Sequence, residues 1–218
     1  MASSFPGSID NFTDPLSNSS LSSPSHAGQH SDLNDAVEKI ETYMGLVKVI
    51  PTGATNGTVA ANGTVTVGNA VSSVTVSGVF SSLYDNYKII YNGGIATSGI
   101  VGWSMRLGAV ATGYYTSSYS IPYTGAASLS QSNNGTSFLG SGVQTPDTGQ
   151  ADIELFQPNL AKRTFYKSCY IYGATTGGGD MAYYAGYENS TTQHTAFTIT
   201  FGGGTMTGGT IRVYGYRN

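Results

Sequence analysis

The residues that could carry out chemistry are few, and the acidic ones come first. Asp152 and Glu154 lie two positions apart on a predicted strand, so their side chains share one face. A glycoside hydrolase holds two carboxylates several ångströms apart across a cleft, and two acids on one strand face are a candidate pair. The simpler interpretation, which we favour, is that both are solvent-facing charges at the edge of a sheet.

A second candidate for catalysis is a nucleophile–base pair formed by Cys169 and His194. Cys169, however, alternates with Phe165 and Ile171, and this pattern predicts a core-facing thiol. The chain also lacks a G-x-S-x-G sequence, a P-loop and a zinc signature. We therefore expect no catalytic residue and no cofactor, and the chain is not expected to be an enzyme. Its single cysteine excludes an intrachain disulfide.

Two histidines precede the first predicted helix. His26 and His30 are four residues apart, a spacing that brings two imidazoles to one metal ion when the segment is helical. Three prolines lie at positions 6, 15 and 24, so we expect this segment to be extended. No third ligand is evident in the sequence. We predict capping or packing roles for these histidines and no metal site.

The aromatic residues are the remaining candidates for a binding site. The chain has 16 tyrosines, crowded around 114–123 and 183–187. Tyrosine combines apolar area with a hydrogen-bonding tip, which suits contact surfaces and stacking on sugar rings. The alternative, which the sequence favours, is that the tyrosines line sheet faces and subunit interfaces. If a glycan-binding surface exists, its first candidates are Trp103, Tyr114, Tyr115, Tyr183 and Tyr184.

The composition narrows the classes of partner. Charged residues make up only 10% of the chain, and residues 51–218 carry six acidic and seven basic side chains. Nucleic-acid binding needs clustered lysine and arginine to neutralise phosphates, so we expect no nucleic-acid partner. No apolar stretch approaches the ~20 residues that cross a bilayer, and no membrane insertion is expected. The N-terminus lacks the pattern of a secretory signal, so we expect release by lysis after cytoplasmic assembly.

Residues 31–45 form the one convincing helix in the sequence. Ser31 or Asp32 can serve as N-cap, Asp35 would fall in the first turn, and Gly45 can end the helix. A helix this short is marginal alone, so its apolar stripe must be buried. The stripe could pack on its own domain or, as we favour, form a parallel homotrimer around a symmetry axis. The predicted trimer interface consists of Leu33, Val37, Ile40 and Met44.

The segments on either side of the helix differ in character. Residues 1–30 are rich in serine and poor in apolar residues, which is typical of a disordered tail or of an extended arm that orders on a partner surface. Residues 46–63 contain Pro51 and two Asn-Gly turns, and we interpret them as a connector. The predicted anchors of the arm are Phe5, Ile9, Phe12, Leu16 and Leu21.

Residues 64–218 are predicted to form a β-domain. Apolar and polar residues alternate with a period of two in short runs that turn signals separate, and no crossover helix fits between them. This spacing predicts a mainly β fold, an antiparallel β-sandwich head with a jelly-roll-like arrangement. The last run, 210–216, should lie inside a sheet, so short C-terminal truncations should be destructive. The predicted strands are 64–67, 74–79, 87–92, 100–107, 113–119, 136–139, 151–156, 164–172, 182–187, 196–201 and 210–216.

The N-terminal 45 residues carry a recognisable pattern. The runs S-F-P-G-S-I-D-N-F-T-D-P and L-S-S-P-S-H-A-G-Q-H-S-D-L-N-D-A-V-E-K-I-E-T-Y-M-G resemble the N-terminal segment of many tailed-bacteriophage virion proteins, where a similar pattern precedes a fibre or spike domain. The runs at 74–91, 196–199 and 210–217 also look like the β-rich heads of such proteins. The matching positions are Pro24, His26, His30, Asn34, Asp35, Ala36 and Gly45.

The resemblance implies a virion structural protein, homotrimeric, with its N-terminus on the particle and its β-head outward. Its partners would be further copies of itself, other virion proteins of capsid or tail, and a host cell-surface glycan. We expect a short tail fibre or head fibre for host adsorption. A capsid decoration or cement protein is the first alternative, and a polysaccharide depolymerase is the second.

Overall fold

The computed structural model describes residues 26–43, 45–97, 99–145, 147–173 and 178–216. One helix, α1, spans His26–Tyr43. The strands are β1 Leu46–Val49, β2 Gly53–Thr55, β3 Gly57–Val59, β4 Val65–Val67, β5 Ser73–Ser77, β6 Asn86–Gly93, β7 Ile95–Ala96, β8 Val101–Leu107, β9 Tyr114–Pro122, β10 Ser128–Gly135, β11 Phe138–Gln144, β12 Gly149–Phe156, β13 Thr164–Gly173, β14 Gly179–Glu188, β15 Ala196–Thr200, β16 Met206–Thr207 and β17 Thr210–Tyr216.

Helix α1 begins five residues earlier than predicted. Ser31 and Asp32 lie inside it rather than at its N-cap, and Asp35 lies beyond its first turn. His26 and His30 are therefore one turn apart on a helix, and the prediction of an extended segment there was wrong. The reason is energetic, because serine or aspartate inside a helix costs only a fraction of ~1 kcal/mol and cannot stop helix growth as proline does. Within the described residues, no helix is long and apolar enough to cross a membrane.

The predicted seam of α1 lies on its exposed surface. Leu33, Val37 and Ile40 are 56%, 45% and 52% exposed, respectively. Met44 and the five arm anchors, Phe5, Ile9, Phe12, Leu16 and Leu21, lie outside the described residues. Homotrimerisation through this seam therefore stays a prediction.

The β-domain begins earlier than predicted. Strands β1, β2 and β3 occupy residues assigned to the connector, and they pair with β17, β5 and β4. Residues 46–63 are thus part of the head, and the connector prediction was wrong. Asn56, which the sequence marks as a turn, has φ of +61° and separates β2 from β3. Short strands next to Asn-Gly turns lack the long alternation by which a strand is recognised.

The strands form antiparallel sheets that face each other, which confirms the predicted β-sandwich. The larger sheet runs β3-β4-β17-β6-β12-β13-β14-β9-β10, and the smaller runs β2-β5-β15-β8-β11. A short pairing of β11 with β12 joins the two, while β7 and β16 form a separate pair. All the strands predicted in the β-domain are present. Strands β7 and β16 were not predicted from the sequence, nor was β10, whose mostly polar residues follow β9 in a hairpin.

Aromatic side chains from both sheets meet in the core. Tyr91 of β6 lies edge-on to Trp103 of β8, with ring centroids 4.7 Å apart. Phe138 of β11 stacks on Tyr166 of β13 at 4.3 Å. Each large apolar side chain buried in this way contributes about 1.5–3 kcal/mol to folding. The core leaves the opposite face of the larger sheet free, and the candidate site lies there.

Candidate functional site

Two of the five predicted ligand-binding aromatics are buried. Trp103 is 2% exposed and Tyr114 is 0% exposed, so neither can contact a ligand on the surface. The Trp103 indole N–H donates to Gln144 Oε1 at 2.8 Å, and the Tyr114 hydroxyl donates to the Val110 carbonyl at 3.1 Å. Burial raises the pKa of Tyr114 to about 12. Both side chains are core residues whose polar tips have partners, which corrects their assignment to a surface site.

The other three predicted residues point to different sides of the larger sheet. Tyr184 points inward, with its hydroxyl 3.0 Å from the Tyr170 hydroxyl. Tyr115 of β9 and Tyr183 of β14 lie on the outer face, because neighbouring side chains of a strand alternate between faces. The adjacent strands place Tyr187 and Phe165 on that same face.

These outer aromatics form two stacked pairs, which we call the outer aromatic face. Tyr115 stacks on Tyr187 with centroids 4.8 Å apart and planes 11° from parallel. Tyr119 stacks on Tyr183 at 5.7 Å and 12°. Phe165 lies beside the first pair and extends it into a row, with its ring centroid 6.3 Å from that of Tyr187, and it is 48% exposed. The register explains the rows, since Tyr115, Tyr187 and Phe165 are direct neighbours across β9, β14 and β13.

A groove of about 720 Å³ opens beside the first row, and we call it the aromatic groove. Small residues, Ser117 and Ala185, follow the aromatic row and leave room above the sheet. Strand β10 forms one wall and supplies amide and hydroxyl groups. The lining residues are Tyr115, Thr116, Ser117, Gln131, Ser132, Asn133, Phe165, Tyr166, Ala185, Gly186 and Tyr187.

The lining of the groove suits an uncharged polar ligand. Its aromatic side offers flat apolar rings, and its β10 side offers the amides of Gln131 and Asn133. No charged side chain is among these described lining residues, although the Arg163 guanidinium lies 5.7 Å from the Tyr187 ring centroid at one end. Pyranose rings have an apolar face and hydroxyl edges, so they match both sides of such a groove.

The predicted carboxylate pair is neutralised by lysines. Lys88 Nζ lies 2.9 Å from an Asp152 carboxylate oxygen, and Lys167 Nζ lies 2.6 Å from a Glu154 oxygen. The hydrogen bond from Lys167 holds the pKa of Glu154 below its usual range, with a further contribution from the Tyr216 hydroxyl. A general acid needs a raised pKa, so the arrangement fits outward-facing charges rather than an acid–base pair. Strand β12 lies between β6 and β13, so the predicted position of these charges at the edge of a sheet was wrong.

Cys169 faces outward, contrary to the prediction. Along β13 the buried positions are Thr164, Tyr166, Ser168 and Tyr170, while Phe165 and Ile171 are each 48% exposed. Alternation identifies two faces, but apolar residues occupy both faces of this strand, so the pattern could not tell which one is inside. Cys169 pairs with Tyr183 on the neighbouring strand rather than with His194.

His194 instead forms a buried pair with Glu188. The side chains are each 1% exposed, and His194 Nε2 lies 3.2 Å from Glu188 Oε2. The same carboxylate accepts the backbone N–H and the hydroxyl of Ser190. In a catalytic triad the imidazole lies between the hydroxyl and the carboxylate, whereas here both groups bond to the carboxylate. The pair thus joins the 189–195 loop to the end of β14.

Two parts of the groove were not identified from the sequence. Phe165 was placed with the core-facing residues of its strand, and Asn133 lies near the end of β10, a strand that was not predicted. Tyr187 belonged to a noted tyrosine cluster but was not selected. The crowding of tyrosines was the one usable signal. Within the described ranges, no three His, Cys, Asp or Glu side chains come together to hold a metal ion.

The chain matches no protein-family model, no curated protein and no solved structure. Its function therefore has to be inferred from its own residues and their geometry.

Proposed function

We propose that the chain is a structural protein of a tailed-bacteriophage virion. It is a short trimeric fibre, anchored to the particle by its N-terminal arm, whose β-head contacts the host surface through the aromatic groove. The groove carries the proposal, since it is an exposed, uncharged, aromatic site on the head. The N-terminal pattern described above supports attachment to the particle. Localisation is the virion, assembled in the host cytoplasm.

The first test concerns the oligomer. We expect the full chain to have three times the chain mass of 22.6 kDa in solution. A chain lacking residues 1–45 should be a monomer. The reason is that Leu33, Val37 and Ile40 expose an apolar seam that parallel copies of the same helix would cover. Multi-angle light scattering on both chains measures this.

A matched pair of point variants tests the seam separately from the rest of α1. Val37→Asp places a charge in the seam and should dissociate the trimer, whereas Asn34→Asp, on an exposed position outside the seam, should not. A full chain that is monomeric at all concentrations would overturn the fibre. A trimer that persists after deletion of residues 1–45 would show that the head, and not α1, holds the copies together.

The second test concerns the ligand of the head. We expect a neutral glycan, found by screening the full chain on a glycan array, to bind the aromatic groove. Tyr187→Ala should weaken binding of that glycan by about two- to tenfold, because a stacked aromatic contributes about 0.5–1.5 kcal/mol and 1.4 kcal/mol is tenfold. Isothermal titration calorimetry with the array hit gives the dissociation constants.

Tyr214→Ala is the control for the ligand test. Tyr214 is a half-buried tyrosine on β17, paired with Lys88 and several strands from the groove, so its loss should leave binding unchanged. If no glycan binds and particles lacking the protein lose stability, a capsid decoration protein replaces the fibre. If the array hit is cleaved, the chain is a depolymerase, and Asp152 and Glu154, which are paired with lysines, become its candidate catalytic carboxylates.

A further inference from the structure

The outer face of the larger sheet has a second region, which we call the aliphatic strip. It consists of Ile121, Leu129, Ile171 and Met181 together with Tyr119 and Tyr183. Ile121, Met181 and Ile171 are neighbours in one row across β9, β14 and β13. Leu129, Tyr119 and Tyr183 form the adjacent row across β10, β9 and β14. The two rows are therefore one continuous apolar surface.

The strip brings several exposed apolar side chains together in one place. Leu129 is 85% exposed, Ile171 48% and Ile121 43%. Single apolar residues on a surface need no explanation, but a contiguous group of this kind marks an interaction site. It borders the aromatic groove but shares no lining residue with it. Ser117, Ala185 and Gln131 of the groove lie two residues along their strands from Tyr119, Tyr183 and Leu129 of the strip.

The chemistry of the strip points to a protein partner. None of its six residues is charged, and the two tyrosyl hydroxyls are its side-chain hydrogen-bonding groups. A glycan would leave most of its hydroxyls unpaired here, and an anionic membrane surface would need basic residues. Aliphatic side chains with two aromatics at the centre are instead typical of the core of a protein–protein interface.

The adjacent strand edge supports the same conclusion. Within the described residues β10 is the outermost strand of the larger sheet, with β9 as its neighbour. Its sequence, S-L-S-Q-S-N-N-G, has no lysine, no other charge and no proline. Monomeric proteins protect such edges with charges, proline or bulges, because a free edge invites pairing with another chain. Strand β10 has a register shift between Ser132 and Gly135, but its first half has none of these devices and carries Leu129, the most exposed residue of the strip.

We propose that the aliphatic strip is covered by the head of a second copy of this chain. The inference rests on the proposed trimer, which supplies the second copy. An uncharged strip can meet a copy of the same head without repulsion between like charges. The ion pairs Lys88–Asp152 and Lys167–Glu154 lie on the same outer face beyond the strip and provide the polar border of such an interface.

Cys169 makes the proposal measurable on the full chain. It is the single cysteine, it is partly exposed within one copy, and it lies beside Tyr183 of the strip. A bulky maleimide reports whether the thiol is covered in the assembled protein. The test variant is Ile121→Asp with Leu129→Asp, on β9 and β10, which leaves the residues around Cys169 on β13 and β14 unchanged. The matched control is Ile95→Asp with Leu83→Asp, an exposed isoleucine and leucine outside the strip.

The expected result is that Cys169 of the wild-type trimer reacts at least about tenfold more slowly than in the strip variant, because thiol reactivity follows exposure. The control variant should react like the wild type. Near-UV circular dichroism shows whether each variant keeps its fold. Equal rates in a trimeric wild type and in the strip variant would overturn the second-copy proposal and leave the strip to another virion protein. A monomeric wild type would overturn the proposed trimer and this inference with it.

Discussion

A chain that ends at Gly209, and so lacks β17, should fail to fold. Strand β17 pairs with β6 along its whole length and with β4 and β1 on its other side. Its Ile211 and Val213 are fully buried, which accounts for about 3–6 kcal/mol of burial free energy between them. The opened β6 and β4 edges add unpaired backbone groups. A domain of this size is stable by about 5–15 kcal/mol, so this loss is not tolerated.

The measurement is a thermal unfolding curve by far-UV circular dichroism. A chain ending at Tyr216 retains all of β17 and is the matched control, which should unfold cooperatively like the full chain. A cooperative transition in the chain ending at Gly209 would mean that β17 is an accessory strand and that the sandwich closes without it.

Replacing Trp103 by alanine should destabilise the head by about 3–5 kcal/mol, the usual range for removing a buried aromatic side chain. Trp103 packs edge-on against Tyr91 at 4.7 Å and against Phe201 at 5.0 Å. Its indole N–H also satisfies the fully buried Gln144, which the substitution would leave with one fewer partner. Chemical denaturation followed by far-UV circular dichroism gives the free energy of unfolding.

Two controls separate core packing from ligand contact. Trp103→Phe keeps an aromatic ring but removes the donor to Gln144, so it should cost less than Trp103→Ala. Glycan binding, measured on the folded fraction, should be unchanged in both variants, whereas Tyr187→Ala should reduce it with little loss of stability. A Trp103→Ala variant with normal stability and no glycan binding would show that Trp103 contributes to the ligand site and not to core packing.

The fold was largely predictable because strand formation depends on local patterns. The alternation in 74–79 and 164–172 identified strands, and the turn signals between such runs excluded crossover helices. The segments that failed are those whose own residues carry too little of the alternating pattern. Strand β10 is polar except for Leu129 and is a strand because β9 pairs with it across a hairpin, and β2 exists because β5 extends the smaller sheet.

By itself the sequence determined the β-class of the head, the place of most of its longer strands, a helix before the head and the low charge that argues against nucleic acid as a partner. Only the tertiary structure decided which face of each strand is inside. Cys169, Phe165 and Ile171 satisfy the same alternation whether they point into the core or out of it, and Trp103 is equally suited to a core and to a sugar platform. The packing of two sheets removes that ambiguity, because a side chain is buried only where the second sheet covers it.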